Sequence, residues 1–254
     1  MRRENLYIHH DAVSNHIMTR GINFLNDDFP KGFFPNNLIL GDSPEDTGRM
    51  DVQTNFKILR GSHEIIDYLE TCERKNQRVS DWIDFRSFET MHQLTPAEIA
   101  ELLYLFHSHR TMRSAFFYKL QNNFAYLSLP NGLNKVYYRQ SSHFYPRLQR
   151  VLRERMTQLI NERGIRRWTF RQVTSNEVPR YVVKKLSTAF NKGLKINFNQ
   201  AYRSGTYWRV PMMSIQDDLA LLDTDQSLTQ SIGEIIYDLN SQQWTLDLLT
   251  DEKR

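Results

Sequence analysis

Three helical rhythms stand out along the chain. Over about 62–75, Ile65, Ile66, Leu69 and Cys72 recur at the spacing of one helix face, and Ser62 precedes them as the expected N-cap. The segment Thr95-Pro96-Ala97-Glu98 reads as a helix start with a capping threonine, proline in the first helical position and a glutamate completing a capping box. Ile99, Leu102, Leu103 and Phe106 follow at helical spacing, and the run is expected to end near Arg110. A third helix is predicted over about 143–163, stopped by Gly164.

Between and around these runs the period drops to two. Residues 5–60 read as irregular or short-strand structure around the apolar run Asn37-Leu38-Ile39-Leu40. The aromatic stretches 116–120, 124–127 and 135–139 are separated by Asn122-Asn123 and by Pro130-Asn131-Gly132. Residues that accept positive φ supply such turns, so a three-stranded antiparallel meander is expected. Further strands are expected near 167–173 and 206–213, and a C-terminal hairpin joins 235–239 to 244–248 through Asn240-Ser241. Hairpins mixed with separate helices predict an α+β fold, an antiparallel meander packed against two or three amphipathic helices. With no linker or repeat visible, a single domain over 1–254 is expected. Its possible sub-structure is an acidic N-terminal segment over 1–92, a basic core over 93–211 and an acidic hairpin over 212–254.

Composition narrows the class. At 40% hydrophobic and 24% charged residues, the chain can build a core, so disorder is not expected. No apolar run reaches the roughly 18–20 residues of a membrane span, and Met1-Arg2-Arg3-Glu4-Asn5 leads into His9-His10-Asp11 rather than an apolar leader. The cytoplasm is therefore the expected compartment, with no membrane partner. One cysteine, Cys72, cannot form an internal disulfide or a cysteine-rich metal site.

Charge changes the picture most. The net +4 hides three blocks: 11 Lys+Arg against 17 Asp+Glu over 1–109, 20 against 3 over 110–211, and 2 against 9 over 212–254. Self-repulsion in the middle block is relieved either by the acidic flanks or by an anionic partner, and nucleic acid is the partner expected first. On a helical wheel centred on Leu148, Phe144, Val151, Leu152 and Leu159 fall within about 60°, whereas Arg147, Arg150 and Arg153 fall on the opposite side. Arg155 lands in the apolar stripe, where it needs a carboxylate or must snorkel. Downstream, cations alternate with aromatics: Arg166, Arg167, Trp168, Phe170 and Arg171, then Arg180, Tyr181, Lys184 and Lys185, then Tyr202, Arg203, Tyr207, Trp208 and Arg209. Such mixtures suit phosphate contact and base stacking. The expected phosphate contacts are Arg147, Arg150, Arg153, Arg166, Arg167, Lys184 and Lys185, with Trp168, Tyr202 or Trp208 stacking on bases. No cofactor and no catalysis are expected.

Other chemistries stay open. The segment Asn122-Asn123-Phe124-Ala125-Tyr126-Leu127 resembles part of the RNA-recognition-motif octapeptide, whose two same-face aromatics stack on bases; Asn122 and Asn123 replace its basic residue and glycine, and Leu129 its last aromatic. Leu38-Ile39-Leu40-Gly41-Asp42-Ser43 resembles the nucleophile block of the GDSL hydrolases, which implies Ser43 as nucleophile. That family's Asp-x-x-His near the C-terminus is missing. A metal-dependent hydrolase would draw on His9, His10, Asp11 and His16. His107 and His109 splay apart on a helix, and Glu89 with His92 offers a single acid–imidazole pair. A third class is an interaction module whose acidic flanks and basic centre drive homo-oligomerisation.

Overall fold

The computed structural model describes residues 5–22, 24, 28–29, 32–41, 47–75, 77, 79–108, 116–129, 132–163, 173–215 and 229–249. The chain forms an α+β fold of two compact units. Unit 1 takes Met1–His10, Arg20–Ile22 and Tyr145–Arg254, and unit 2 takes Asp11–Thr19 and Asn23–Phe144. The charge blocks do not follow these units, for the basic block 110–211 is divided between them. Unit 1 carries 20 Lys+Arg against 13 Asp+Glu, and unit 2 carries 13 against 16.

Strands β1 (Leu6–Asp11), β2 (His16–Arg20), β3 (Asn37–Leu40), β4 (Arg49–Met50) and β5 (Lys57–Arg60) come first, and β3 is the apolar run noted in the sequence. Helix α1 (Gly61–Arg74) follows directly and buries Ile65, Leu69 and Cys72. Its N-cap is Arg60 rather than Ser62, because the strand runs straight into the helix. The Glu64 carboxylate reaches back to the Arg60 amide at 2.8 Å in place of a side-chain cap. Strand β6 (Trp82–Asp84) and the short helix α2 (Phe88–Met91) lead to α3 (Pro96–Ser108). The capping box forms: Thr95 Oγ1 accepts from the Glu98 amide at 3.3 Å, and Glu98 accepts from the Thr95 amide at 2.7 Å. Leu102, Leu105 and Phe106 are buried whereas Leu103 is exposed, so the buried face of α3 is rotated from the expected stripe.

Strands β7 (Phe124–Ser128) and β8 (Leu133–Tyr138) pair antiparallel, as expected. The third strand beside them is β6, not 116–120. In FFYKL it is Phe117 and Leu120 that bury, three residues apart, and the chain turns there. The Phe117 amide donates to Asn122 Oδ1 at 2.8 Å, and Gln121 adopts φ +51°. The short β6 is clamped at both ends by buried carboxylates. Asp81 accepts from the Ser128 amide at 2.7 Å, and Asp84 accepts from Asn123 at 2.9 Å and Phe124 at 2.6 Å. Within unit 2 the strand order is β2-β8-β7-β6-β3-β5-β4. Both faces of its centre are dry. Ile39, Ile83, Leu127 and Tyr137 join the α3 side chains in one core, and Trp82, Phe124, Tyr126 and Tyr138 join Phe24 and Phe29 in an aromatic cluster.

Unit 2 ends in a 3-10 turn over Ser141–Phe144, and α4 (Tyr145–Arg163) opens the long segment of unit 1, so the α-helix begins two residues later than its periodicity suggests. Then come α5 (Arg180–Leu186), a 3-10 turn Ser187–Lys192, β9 (Leu194–Ile196), β10 (Tyr202–Ser204), β11 (Tyr207–Ile215), β12 (Thr229–Asp238) and β13 (Trp244–Leu248). Most of the expected strand 167–173 lies outside the described residues, and Val173 is not in a strand. The order is β13-β12-β11-β9-β1, with β10 pairing the other end of β11. A bulge at Met212/Met213 lies opposite Gly233, whose φ of +136° and close approach to the Asp247 carbonyl leave no room for a Cβ. Cross-strand register and burial give this sheet two unlike faces. Trp208, Val210, Ile235, Tyr237 and Trp244 lie on the dry face, while Tyr202, Tyr207, Arg209, Glu234, Asp238 and Asp247 alternate onto the wetter one.

Candidate functional site

All five arginines of α4 find partners within the chain, though only Arg147 is buried. The buried residues of the helix, Arg147 with Leu148, Val151, Leu152, Met156, Leu159 and Ile160, span roughly 220° of the wheel. Arg147 falls at the margin of this arc and is fully buried, with Nη2 donating to the Ile22 carbonyl at 2.6 Å. It is withdrawn from any phosphate. Arg150 is bound to Glu154 one turn on, at 2.9 Å, and Arg153 stands 4.0 Å from Glu177. Arg155 reaches the Gly21 carbonyl at 3.5 Å, finding a backbone oxygen rather than a carboxylate. Arg163 donates to the carbonyls of Ala201 and Asn199.

The aromatic candidates divide likewise. Trp208 is 2% exposed and cannot stack on a ligand. Tyr202 is exposed, but its hydroxyl donates to Glu234 at 2.8 Å and Arg209 pairs with the same carboxylate at 2.8 Å. The hydrogen bond to that carboxylate raises the Tyr202 phenol above its ordinary pKa. Phe124 and Tyr126, the pair resembling the RNA-binding octapeptide, are buried inside unit 2, so the resemblance leaves no exposed aromatic. Arg166, Arg167 and Trp168 lie outside the described residues, as does Ser43.

What remains is α5 and the 3-10 turn after it. RYVVKKL folds as a helix because Val182, Val183 and Leu186 at i, i+1 and i+4 all bury, while Pro179 sets an extended N-cap. Ser187 and Thr188 close the end by donating to the Lys184 and Lys185 carbonyls at 2.8 Å each. Phe190 anchors the 3-10 turn, and Gly193 at φ +71° ends it. The polar residues have only one way to point. Arg180, Tyr181, Lys184, Lys185 and Lys192 are all exposed, and none of these four cations makes an ion pair among the described residues. The sequence supplies a reason: from 178 to 216 there is no aspartate or glutamate, against seven Lys+Arg. Lysines in the last turn also complement the helix dipole.

The face is firmly seated. Tyr181 Oη donates to the Trp244 carbonyl at 2.7 Å, Trp244 Nε1 donates to the Asn176 carbonyl at 3.0 Å, and the Asn176 amide donates to Tyr237 Oη at 3.2 Å. Alongside, the 173–179 segment is stitched to α4 by Asn161–Val173 and Thr157–Ser175 hydrogen bonds, and Tyr145 Oη donates to Ser187. The half-buried Asp238 and the exposed Asp247 are on the face of this sheet away from Trp244.

The histidine alternatives disperse. His9 and His10 belong to unit 1, and Asp11 and His16 to unit 2. Among the described residues no three His, Cys, Asp or Glu side chains gather as metal ligands. His16 is buried, and burial followed by the Lys135 charge lowers its pKa to about 4. Asp11 accepts from Ser14 Oγ at 2.5 Å and from the Val13 amide, a turn-closing role. His92 does hold a carboxylate, but it is Asp51 at 2.9 Å, not Glu89. That pair spans 41 positions of sequence and follows no local spacing. Lys192 was also missed; the acid-free run from 178 to 216 is the signal that reaches it. The chain matches no family model, no curated protein and no solved structure.

Proposed function

We propose that this chain is a non-catalytic, cytoplasmic nucleic-acid-binding protein whose contact surface is the outer face of α5 and the 3-10 turn that follows. Phosphates lie along Arg180, Lys184, Lys185 and Lys192. The observation that carries this reading is four exposed cations within thirteen residues, unmatched by carboxylates among the described residues, on an element fixed to its sheet by hydrogen bonds. Neutralising phosphates there releases condensed counterions, so affinity should fall steeply with salt.

A second reading has support in unit 1 as well. Asp238 and Asp247 lie on the opposite face of the sheet from α5, so the unit carries unlike charges on two sides, which suits salt-sensitive self-association. Fluorescence polarisation with labelled DNA and RNA of about 25 nucleotides, at about 50 and 200 mM salt, separates the two. Micromolar or tighter binding is expected, and Lys184→Gln, Lys185→Gln and Lys192→Gln together should reduce the salt slope by about 2. Absence of binding at the lower salt refutes the proposal, and salt-sensitive light scattering without binding favours self-association.

A further inference from the structure

The exposed aromatics of the chain are not equivalent. Tyr202 is tied to Glu234, and Tyr207 faces Asp238 across the β11–β12 pair. In unit 2, Tyr104 follows Glu101 on α3, and Tyr118 precedes Lys119, which is paired with Glu98 at 2.7 Å. Tyr181 is different. It is 53% exposed, lies in the acid-free stretch, and is surrounded along its helix by cations. With Tyr181 as the origin of a wheel, Lys184 and Lys185 fall within about 60° on either side, and Arg180 precedes it.

Its ring is also held in place. The hydroxyl donates to the Trp244 carbonyl, on the strand against which α5 packs. Hydrogen bonds across the β12–β13 pair explain why that oxygen is available. Asp238 and Leu249 mark the positions that bond inward, Asp238 N to Gln243 O and Leu249 N to Ile232 O, so the backbone groups of Trp244 point away from β12. A tyrosine fixed through its tip at a sheet edge cannot rotate away, and little side-chain entropy remains to be lost when a flat partner settles on the ring.

We infer that the ligand of this face is single-stranded nucleic acid, with one unpaired base stacked on Tyr181 and its neighbouring phosphates on Arg180, Lys184 and Lys185. The inference rests on the proposed function and adds to it the strandedness of the ligand. A duplex offers phosphates to the lysines but no base face to the tyrosine; an unpaired strand offers both. Stacking of this kind tolerates any base, so little sequence preference accompanies it.

The test uses the full chain, a labelled oligothymidylate of about 12 nucleotides, its duplex with oligoadenylate, and the variants Tyr181→Leu, Tyr181→Phe and Lys184→Gln/Lys185→Gln. The single strand should bind more tightly than the duplex. Tyr181→Leu should weaken it by about 5- to 100-fold with the salt slope unchanged, and Tyr181→Phe, which keeps the ring but loses its tether, should retain most of the affinity. The lysine pair should weaken both ligands and lower the slope. Equal binding of duplex and single strand overturns the inference, as do equal losses in the Leu and Phe variants or no loss in either. In each of those results, lysine-dependent binding leaves the phosphate reading standing. Failure of both nucleic acids to bind removes that reading too.

Discussion

Helices α4 and α5 run through the same basic stretch and use their cations in opposite ways. The five arginines of α4 reach carbonyls or glutamates of their own unit: Arg147 to Ile22, Arg150 to Glu154, Arg153 to Glu177, Arg155 to Gly21 and Arg163 to Ala201. α5 carries Arg180, Lys184 and Lys185, which face outward without a carboxylate among the described residues. Residue chemistry accounts for some of this. A guanidinium presents several donors in a rigid fork and tolerates partial burial, so it serves as an internal fastener, whereas a compact, strongly hydrated ammonium stays in water. Position accounts for the rest. α4 is long and buried over much of its circumference, and α5 is a short helix with one dry side. A dense run of positive residues is thus no measure of binding surface until those with partners of their own are subtracted.

The contrast is broken most severely at Arg147. Arg147→Ala should cost about 3 to 5 kcal/mol in urea denaturation, because it removes a fully buried side chain with its hydrogen bond to the Ile22 carbonyl and opens a void. Arg147→Met, which fills the space without a charge to bury, should cost less. Wild-type stability in the alanine variant would show that α4's arginines are not fasteners.

Next in size is a pH effect that shows what happens when charge is taken inside without a fixed positive partner. In unit 2, burial and the Lys135 charge hold His16 at about 4, and burial raises Asp84 to about 7 against the pull of the Phe124 and Asn123 amides. As pH falls from 6.5 to 4, the unfolded chain takes up a proton at position 16 that the folded chain refuses, so stability declines. As pH rises from 3.8 to 7, the folded carboxyl at position 84 keeps a proton that the unfolded chain has lost, so stability declines in the other direction. Each slope is worth on the order of 3 kcal/mol, and in the wild type they oppose each other. Thermal unfolding between about pH 4.5 and 7 should therefore show a shallow dependence. Asp84→Asn should make the protein weaker toward acid, and His16→Phe should make it weaker toward neutrality. Parallel curves for the two variants would contradict the assignment.

The smallest expected change sharpens the comparison from the other side. Lys184→Gln/Lys185→Gln should alter stability by no more than about 0.5 kcal/mol, since neither side chain is ion-paired among the described residues. A fall in melting temperature as large as that of Arg147→Ala would mean that α5's lysines, too, are structural.

Much of the fold was legible because it depends on local rules. Thr95 and Glu98 cap α3 from within four residues, and the side-chain periods of two and 3.6 located β7, β8, β11, β12, α1 and α4. The misreadings fall where a neighbour decides. Phe117 and Leu120 look like strand residues until a turn closes on Asn122, and β6 becomes β7's partner only because Asp81 and Asp84, some forty positions away, receive the ends of β7.

The candidate site repeats this division. Sequence by itself determined that positive charge concentrates in 110–211 and that no carboxylate interrupts 178–216. Tertiary structure alone decided that Arg147 and Trp208 are interior, that Tyr202 is held by Glu234, and that Tyr181 is tethered to Trp244. Periodicity reports the direction of a helix's dry side. The width of that side, and the partner of each charged group, depend on chain segments brought close in space from far along the sequence.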